Sequence, residues 1–347
     1  MKMYRLVSLI VIVALLLVSC TATPTPSPTV PVPADATATI ELSPTPPPPT
    51  DTAMPVSTKA PTAVPATATP AATATPAATA TLAVVASIPA DKLVQKTRLL
   101  ICSDFPYPPQ EFFDDNGNPQ GLDIELGAEI ATRLGLKVQY VNSVFDTIIA
   151  AVTSGKCDIV ISAMNITTER QKQVSMIPYF QAGQSFVAAK GNPQNIKTWE
   201  DLCGKSAAAE SGTTEADYLQ GVNDYKGKGL TQQCTQKGLK PINVVVTQKD
   251  TDALQQLQAG KVVIYSTDSP VAAYYTVQHP DQFEIVGPIM QPISEGIVLP
   301  CGQADCTKAP LTEVGAAVQT ALKSMITDGA YAKILTKWNL SDGAIKP

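Results

Sequence analysis

Hydrophobic and polar positions along residues 92–347 follow two alternating patterns. Short apolar runs, typical of buried strands, are separated by stretches in which apolar residues recur every three or four positions, as in amphipathic helices. In the first series the predicted strands are 99–103, 136–141 and 158–162, and the predicted helices are 122–134 and 144–153. Gly135 and Gly155 stand where those helices are expected to end. This alternation predicts a mostly parallel sheet flanked by helices.

A second series of the same kind begins at Phe186. Its predicted strands are 205–209, 242–246 and 262–266, and its predicted helices are 251–258 and 271–278. The chain then continues through a strand-like segment, 296–299, to two helical patterns, 311–326 and 330–338. Because these last helices need a sheet to cover, we place them on the first lobe. The prediction is therefore an α/β protein with two open sheets, hinge strands and a cleft between the lobes.

The predicted domain boundaries follow from these crossings. The first lobe comprises residues 92–184 and a return segment, 291–347, and the second lobe comprises 185–290. Both lobes are of ordinary domain size.

Two further segments precede the lobes. Lys2 and Arg5 are followed by an apolar run that stops before Cys20, which predicts a signal peptide over 1–19. The sequence Leu17-Val18-Ser19-Cys20 looks like a bacterial lipobox, so Cys20 is expected to carry a lipid that anchors the protein to the outer face of the cell membrane. An uncleaved signal anchor or a plain signal peptide is the alternative. Residues 20–91, rich in Thr, Ala and Pro, are predicted to form an extended tether.

Charge and cysteine content restrict the function further. The formal net charge is −5 and basic residues are not clustered, which argues against nucleic acid as a partner. Six cysteines follow Cys20, an even number that favours disulfides in an exported protein. Short spacing makes Cys301–Cys306 the first candidate bridge, Cys203–Cys234 is the second, and Cys102 and Cys157 remain. With one histidine, His279, and no Cys-x-x-Cys, neither a metal nor a cofactor is predicted.

The residues just after the predicted strands are the candidates for a binding site, because ligands bind there to open α/β sheets. They are Asp104 and Tyr107 after the first strand, Ala163 and Asn165 after 158–162, Ser211 to Thr214 after 205–209, and Asp268 after 262–266.

The loop that contains Asn165 continues into a helix start with Thr167 as a natural N-cap and Arg170 in the first turn. Cations are disfavoured at helix N-termini, so this arginine makes sense if it grips an anion together with the free N–H groups. The loop therefore predicts a site for an α-carboxylate. A surface ion pair between Arg170 and Glu169 is the alternative. Asp268 supplies a negative charge for an α-ammonium, or else it caps the next helix.

Several motifs carry a resemblance to a known family. Among them are Tyr107-Pro108-Pro109, Gly121-Leu122-Asp123-Ile124-Glu125-Leu126, Asn165-Ile166-Thr167, Pro178-Tyr179-Phe180 and Asp268-Ser269-Pro270. The likeness spans nearly all of residues 97–340. The chain resembles the family 3 solute-binding proteins, the polar amino acid receptors of ABC importers. This resemblance implies a two-lobed periplasmic-binding-protein-like (Venus flytrap) fold, a monomer, a free amino acid as ligand and a membrane permease as partner.

The resemblance also implies a set of ligand-binding residues. They are Asp104, Tyr107, Phe145, Ala163, Asn165, Arg170, Glu210, Thr213, Thr214 and Asp268. Arg170 would bind the ligand carboxylate with amides near Asn165 and Thr214. Asp268 and the Ala163 carbonyl would hold the ammonium, and Tyr107 and Phe145 would flank the side chain. Gln110 and Asn165 depart from the residues usual in the family.

Asp104 and Glu210 are expected at the distal end of the ligand, and two carboxylates favour a cation. We therefore expect arginine, lysine, ornithine or histidine. If either acid is paired with a lysine, a neutral amino acid such as glutamine is equally expected. Asp123 and Glu125 are expected to be surface acids at a helix start. The rival functions are a dehydratase with Glu210 as general acid and a ligand sensor. Because the sequence offers no catalytic triad, metal cluster or phosphate loop, we predict that the protein is not an enzyme.

Overall fold

Eight strands form one continuous sheet in the computed structural model, which describes residues 84–345. With a separate hairpin of two strands, the described residues contain ten strands: β1 (Arg98–Ser103), β2 (Phe112–Phe113), β3 (Pro119–Gln120), β4 (Lys137–Asn142), β5 (Ile159–Val160), β6 (Ser175–Ala189), β7 (Ser206–Glu210), β8 (Asn243–Thr247), β9 (Ile264–Asp268) and β10 (Phe283–Leu299). Their order in the sheet is β4-β1-β5-β10-β6-β9-β7-β8, and β2 and β3 form a separate hairpin.

Nine α-helices accompany the strands in this part of the chain. They are α1 (Leu122–Arg133), α2 (Ile148–Thr153), α3 (Thr168–Gln173), α4 (Thr214–Gln220), α5 (Leu230–Gln236), α6 (Asp250–Gln258), α7 (Ser269–Gln278), α8 (Glu313–Asp328) and α9 (Ala330–Lys337). None of the helices between residues 84 and 345 combines the length and apolar character that a membrane crossing requires.

Two long antiparallel strands join two parallel sheets. β4, β1 and β5 run parallel at one end, and β8, β7 and β9 run parallel at the other. Between them β6 pairs with β10 from Ser175↔Leu299 to Ala189↔Phe283. β10 then pairs with β5, and β6 pairs with β9. The predicted two sheets are therefore present, and the hinge strands connect them into one hydrogen-bonded ladder.

Separate hydrophobic cores lie on the two sides of this connection. One contains residues of β1, α1, α8 and α9, so the last two helices pack on the first sheet as predicted. The cores around β7 and β9 draw their buried residues from positions 186–286. We use "first lobe" and "second lobe" for these two halves. The numerical boundaries at 184/185 and 290/291 stay predictions.

The segment before β1 packs on the first lobe. Ala86 and Ile88 are partly buried against its core, and the N–H of Val85 donates to the carbonyl of Arg133 at 2.9 Å. Contact with the lobe thus begins before residue 92, within the last residues of the predicted tether. The predicted signal peptide, the lipid site at Cys20 and the tether up to residue 83 lie outside the described residues.

All three predicted disulfides are present. Cys102 pairs with Cys157 in the first lobe, Cys203 with Cys234 in the second, and Cys301 with Cys306 in the turn after β10. The first pair links the end of β1 to the residues before β5, which fixes two strands whose carboxyl ends face the cleft.

Candidate functional site

A cavity lies between the lobes at the carboxyl ends of the parallel strands. Its empty space is about 380 Å³, open solvent included. Eight of the ten predicted ligand-binding residues line it: Asp104, Tyr107, Phe145, Ala163, Asn165, Glu210, Thr213 and Asp268. The rule that ligands bind beyond the carboxyl ends of strands therefore located this cavity from sequence.

Arg170 and Thr214 are placed behind this lining and contact it through Asn165. The Arg170 guanidinium donates to the Asn165 carbonyl at 2.7 Å and, across the cleft, to the Gly212 carbonyl at 2.8 Å. The Thr214 hydroxyl donates to Asn165 Oδ1 at 2.5 Å. Two of the five guanidinium N–H groups of Arg170 are thus engaged by main-chain carbonyls.

The local structure explains why Arg170 points inward. The Thr167 hydroxyl accepts the N–H of Arg170 at 3.2 Å, which is the predicted N-cap of α3. Arg170 is 8% exposed and its guanidinium stacks over the ring of Phe145 at 5.4 Å. Glu169 instead pairs with Lys172 at 2.7 Å. The alternative of a surface ion pair between Arg170 and Glu169 is therefore wrong.

Asp268, Glu215 and Asn165 line the cavity together. After the prediction that Asp268 holds the ligand ammonium, we call their region the α-amino end. The Thr214 hydroxyl lies within hydrogen-bond distance of both Asn165 Oδ1 and Glu215 Oε2. The Tyr107 hydroxyl, from the first lobe, donates to Asp268 Oδ2 at 2.9 Å. Asp268 occupies the N-cap position of α7 but its side chain caps no N–H group. Tyr107, predicted to flank the ligand side chain, thus also holds Asp268 in place.

Burial raises the pKa of both acids at the α-amino end. The pKa of Asp268 is raised well above its ordinary value by burial first and the charge of Glu215 second. For Glu215, burial is the one cause that raises the pKa. Two adjacent buried carboxylates cannot both stay ionised without a compensating cation or a shared proton. Asp268 and Glu215 therefore require one or the other.

Asp104, Glu210 and Lys249 form the opposite end of the cavity, which we call the side-chain end. Asp104 Oδ2 accepts the N–H of Phe145 at 2.8 Å, and Asp104 Oδ1 lies 3.5 Å from Lys249 Nζ. Burial raises the pKa of Glu210 to about 10, with further contributions from the charges of Asp250 and Asp104. Glu210 is consequently protonated at neutral pH, and Asp104 already has a cationic neighbour.

Asp123 differs from its prediction as a surface acid. It is fully buried, and its Oδ2 accepts the N–H of Ala163 at 2.8 Å and the Tyr179 hydroxyl at 2.8 Å. Ala163 has a φ of 42°, a left-handed conformation that non-glycine residues seldom adopt. Asp123 therefore stabilises the main chain of a cavity-lining residue. Glu125 lies nearer the surface and pairs with Lys337.

Sequence analysis missed several acids and one lysine of the cavity. Those with ionisable side chains are Glu111, Glu215, Lys249 and Asp250. Lys249 and Asp250 follow β8, so the strand-end rule would have found them had it been applied to 242–246. Glu215 lies in the first turn of α4, a position where an acid usually indicates only helix stabilisation. Glu111 accepts from the Ser162 hydroxyl, which in turn accepts the N–H of Asp104.

The lobes touch across the cavity in this structure. The Ser211 hydroxyl donates to Asp146 Oδ2 at 3.1 Å, and the N–H of Glu169 bonds Asp224 Oδ2 at 3.1 Å. Together with the bonds from Arg170 and Tyr107, these contacts describe a closed cleft. Between residues 84 and 345 no cluster of side chains is suited to hold a metal ion.

Comparisons with known proteins agree with this architecture. The family model of the bacterial extracellular solute-binding proteins, family 3, matches residues 99–341. The L-cystine-binding protein TcyJ of Escherichia coli (strain K12) is 25% identical over 249 residues, which cover 72% of this chain and 85% of that protein.

Solved structures give a closer match. Two structures of an ancestral arginine-binding protein are similar to this chain. The arginine-bound structure is 35% identical with a TM-score of 0.60, and the glutamine-bound structure is 36% identical with a TM-score of 0.59. The matches cover 70% of this chain and 97% and 98% of those chains. The ancestral amino acid-binding protein AncCDT-1, described as a precursor of cyclohexadienyl dehydratase, is 32% identical with a TM-score of 0.58, over 72% of this chain and 98% of its own.

Proposed function

Because the chain belongs to the bacterial extracellular solute-binding proteins of family 3, we propose that it captures a free amino acid between its lobes and delivers it to the permease of an ABC importer. The relatives named above are themselves binding proteins for amino acids. In this proposal the closed arrangement of the lobes is the form that the permease receives.

The observation that carries the proposal is a set of unpaired buried polar atoms of both signs around one cavity. Asn165 Nδ2 is a buried donor without an acceptor among the described residues, and Asp268 Oδ1 and Glu215 Oε1 are buried acceptors without a donor there. Leaving such groups unpaired is costly. A zwitterion satisfies both kinds of atom, since its carboxylate accepts from Asn165 and its ammonium donates to the two acids.

Arg170 and Thr214 complete the carboxylate site in this proposal. Arg170 lies against the Asn165 carbonyl and retains N–H groups beyond the two that bond carbonyls. A guanidinium beside a carboxylate adds a charge-assisted hydrogen bond. The roles of all ten ligand-binding residues remain part of the proposal.

The acids of the cavity favour a cationic side chain. Six carboxyl groups line it, those of Asp104, Glu111, Glu210, Glu215, Asp250 and Asp268. Lys249 is the one lysine among the lining residues of the described chain. We therefore place arginine first among the ligands, with lysine, ornithine and histidine as related candidates.

A neutral ligand such as glutamine is the second candidate, and one contact favours it. Lys249 pairs with Asp104 at 3.5 Å, so the side-chain end already contains a positive charge. Glu210, protonated at neutral pH, is able to donate a hydrogen bond to an amide oxygen.

Isothermal titration of the purified protein with each of the twenty amino acids and ornithine tests the proposal. We expect the tightest binding for arginine, weaker binding for glutamine, and no heat with aspartate or glutamate. Tightest binding of an acidic amino acid would contradict the cationic assignment. Failure to bind any amino acid would contradict the function itself.

A dehydratase on the same fold is the rival that the structure best supports, because the neutral carboxyl of Glu210 is a candidate general acid. Incubation with candidate amino and keto acids separates the two functions. We expect stoichiometric binding without product, whereas catalytic turnover would show an enzyme. A sensor would bind the same ligand but would not support uptake when paired with the permease.

The membrane anchor is a separate proposal that rests on the sequence around Cys20. We expect the Cys20→Ala variant to leave the membrane fraction and to lose incorporation of labelled fatty acid, while it retains amino acid binding. Retention of the label in that variant would contradict a lipid at Cys20.

A further inference from the structure

Lys249 brings a positive charge into the cavity from the second lobe. It lies two residues after β8 and directly before α6, and its side chain reaches the first lobe. Its Nζ donates to the Phe105 carbonyl at 2.6 Å and to Asp104 Oδ1 at 3.5 Å. Both acceptors belong to the loop after β1, so the lysine spans the cleft at the side-chain end.

Both oxygens of Asp104 already have a partner. Oδ2 accepts the N–H of Phe145 at 2.8 Å, and Oδ1 lies 3.5 Å from the Lys249 ammonium. A cationic ligand side chain that pairs with Asp104 therefore shares this carboxylate with the lysine ammonium. Two like charges at such a distance repel each other strongly in a partly dehydrated site.

The main chain of Lys249 is fixed, and its side chain is partly exposed to solvent. Its carbonyl accepts the Thr247 hydroxyl at 2.9 Å, which fixes the main chain. Its side chain is 37% exposed, whereas that of Asp104 is 8% exposed. The ammonium thus has a path to solvent when a competing cation enters, and such displacement costs binding energy for cationic ligands alone.

We propose that Lys249 is a specificity-determining residue, which lowers the preference for cationic over neutral side chains by competing with the ligand for Asp104. The inference rests on the proposed function, since it concerns the same amino acid site. The other ionisable groups at this end are Glu210 and Asp250, both acids. Lys249 is accordingly the group that weakens the preference of these acids for a cationic ligand side chain.

The test compares arginine and glutamine in the Lys249→Met variant. Removing the ammonium should increase the ratio of arginine affinity to glutamine affinity at least about tenfold. The ratio is the informative quantity because the loss of the bond to Phe105 weakens lobe closure for both ligands equally. Isothermal titration gives both dissociation constants, and circular dichroism confirms the fold.

Two control variants separate charge from shape and position. Lys249→Arg keeps the charge and should leave the ratio within about threefold of the unaltered protein. Lys261→Met removes an exposed lysine outside the cavity and should change neither affinity. If Lys249→Met weakens both ligands together with an unchanged ratio, the lysine is only a closure contact and the inference is overturned. If the unaltered protein binds neither arginine nor glutamine, the inference is overturned, whereas the proposed function itself fails only if no amino acid binds.

Discussion

The two ends of the cavity are built differently. At the α-amino end the groups are buried and held by neighbours of fixed geometry, as Asp268 is by Tyr107 and Asn165 by Thr214. At the side-chain end a partly exposed lysine shares one acid, and the other acid is protonated. In the proposed function, the first end recognises the α-amino and α-carboxylate groups that all amino acids share. The second end then distinguishes their side chains.

Replacing Arg170 with alanine should produce the largest effect, because it removes the buried guanidinium of the proposed carboxylate site, which every amino acid would use. We expect arginine and glutamine to lose affinity together, by at least about 100-fold, as is usual for one partner of a buried charged pair. Titration calorimetry measures both. A loss confined to arginine would assign Arg170 to the side-chain end and break the distinction.

A stability control accompanies this variant, since Arg170 also bonds carbonyls of both lobes. Arg170→Lys retains the charge but not the two-armed geometry, and we expect it to fold and bind with intermediate affinity. Comparison of thermal unfolding midpoints separates a binding defect from a folding defect.

Gly212 offers a way to weaken closure at a residue that does not line the cavity. Its φ is 78°, and an added Cβ would lie 2.8 Å from the Asp146 Cα of the first lobe. Gly212→Ala should therefore reduce the affinities for arginine and glutamine in equal proportion, by about tenfold or more, because it strains the turn and holds the lobes apart. Gly155→Ala has a similar φ and no atom within 4 Å of the added Cβ, so it controls for backbone strain alone. A changed ratio in Gly212→Ala would contradict the assignment to closure.

Asp104→Asn should affect the side-chain end alone. We expect arginine to bind about tenfold more weakly and glutamine to change little, since one ion pair is lost and the shape is retained. Glu210→Gln is the matched variant, and it should weaken arginine less because Glu210 is protonated before the ligand enters. Equal losses for both ligands in Asp104→Asn would remove the contrast between the two ends.

The sequence predicted the architecture well where hydrophobic periodicity is strong. The predicted strand 99–103 and helix 122–134 correspond to β1 and α1 within a residue at each end. Hinge strands were predicted but their length was not, because β10 is exposed along much of its length and carries little apolar alternation. Only its buried end, predicted as 296–299, has the composition of a strand.

Site residues were predicted where their position next to a strand end is visible in the local sequence. Strand ends located Asp104, Asn165 and Asp268, whereas the function of Asp123 depends on Ala163 and Tyr179, which are distant in sequence. A helix-opening acid that is buried looks the same in sequence as one that is exposed. The position of Arg170 behind Asn165 depends on the bond to Gly212 of the other lobe, and no local pattern predicts such a contact.

The smallest expected effect is a difference in pH dependence between the two ligands. Glu210 has a pKa of about 10, so it holds a proton at neutral pH. Burial and the charges of Asp250 and Asp104 raise this pKa, and the charge of Lys249 lowers it. A cationic side chain stabilises the ionised form and lowers the pKa of Glu210 in the complex, so a fraction of the complexes release the proton as pH approaches 8 and arginine affinity should rise with pH. Glutamine brings no such charge. Between pH 6 and 8 the affinity ratio should increase about threefold in favour of arginine.

The proton on Glu210 also determines whether the folded protein becomes more or less stable as pH rises. Because the folded pKa of Glu210 lies above the unfolded one, the folded protein binds more protons, and its contribution is complete below the unfolded pKa and is lost as pH rises toward 10. The unliganded protein should therefore melt at a lower temperature at pH 8.5 than at pH 6, and Glu210→Gln should reduce that difference. The acids of the α-amino end should change the affinities for arginine and glutamine with pH to the same extent, since each ligand carries an α-ammonium. A pH-independent affinity ratio would show that Glu210 keeps its proton in the complex, in which case the side-chain end recognises its ligand by hydrogen bonding.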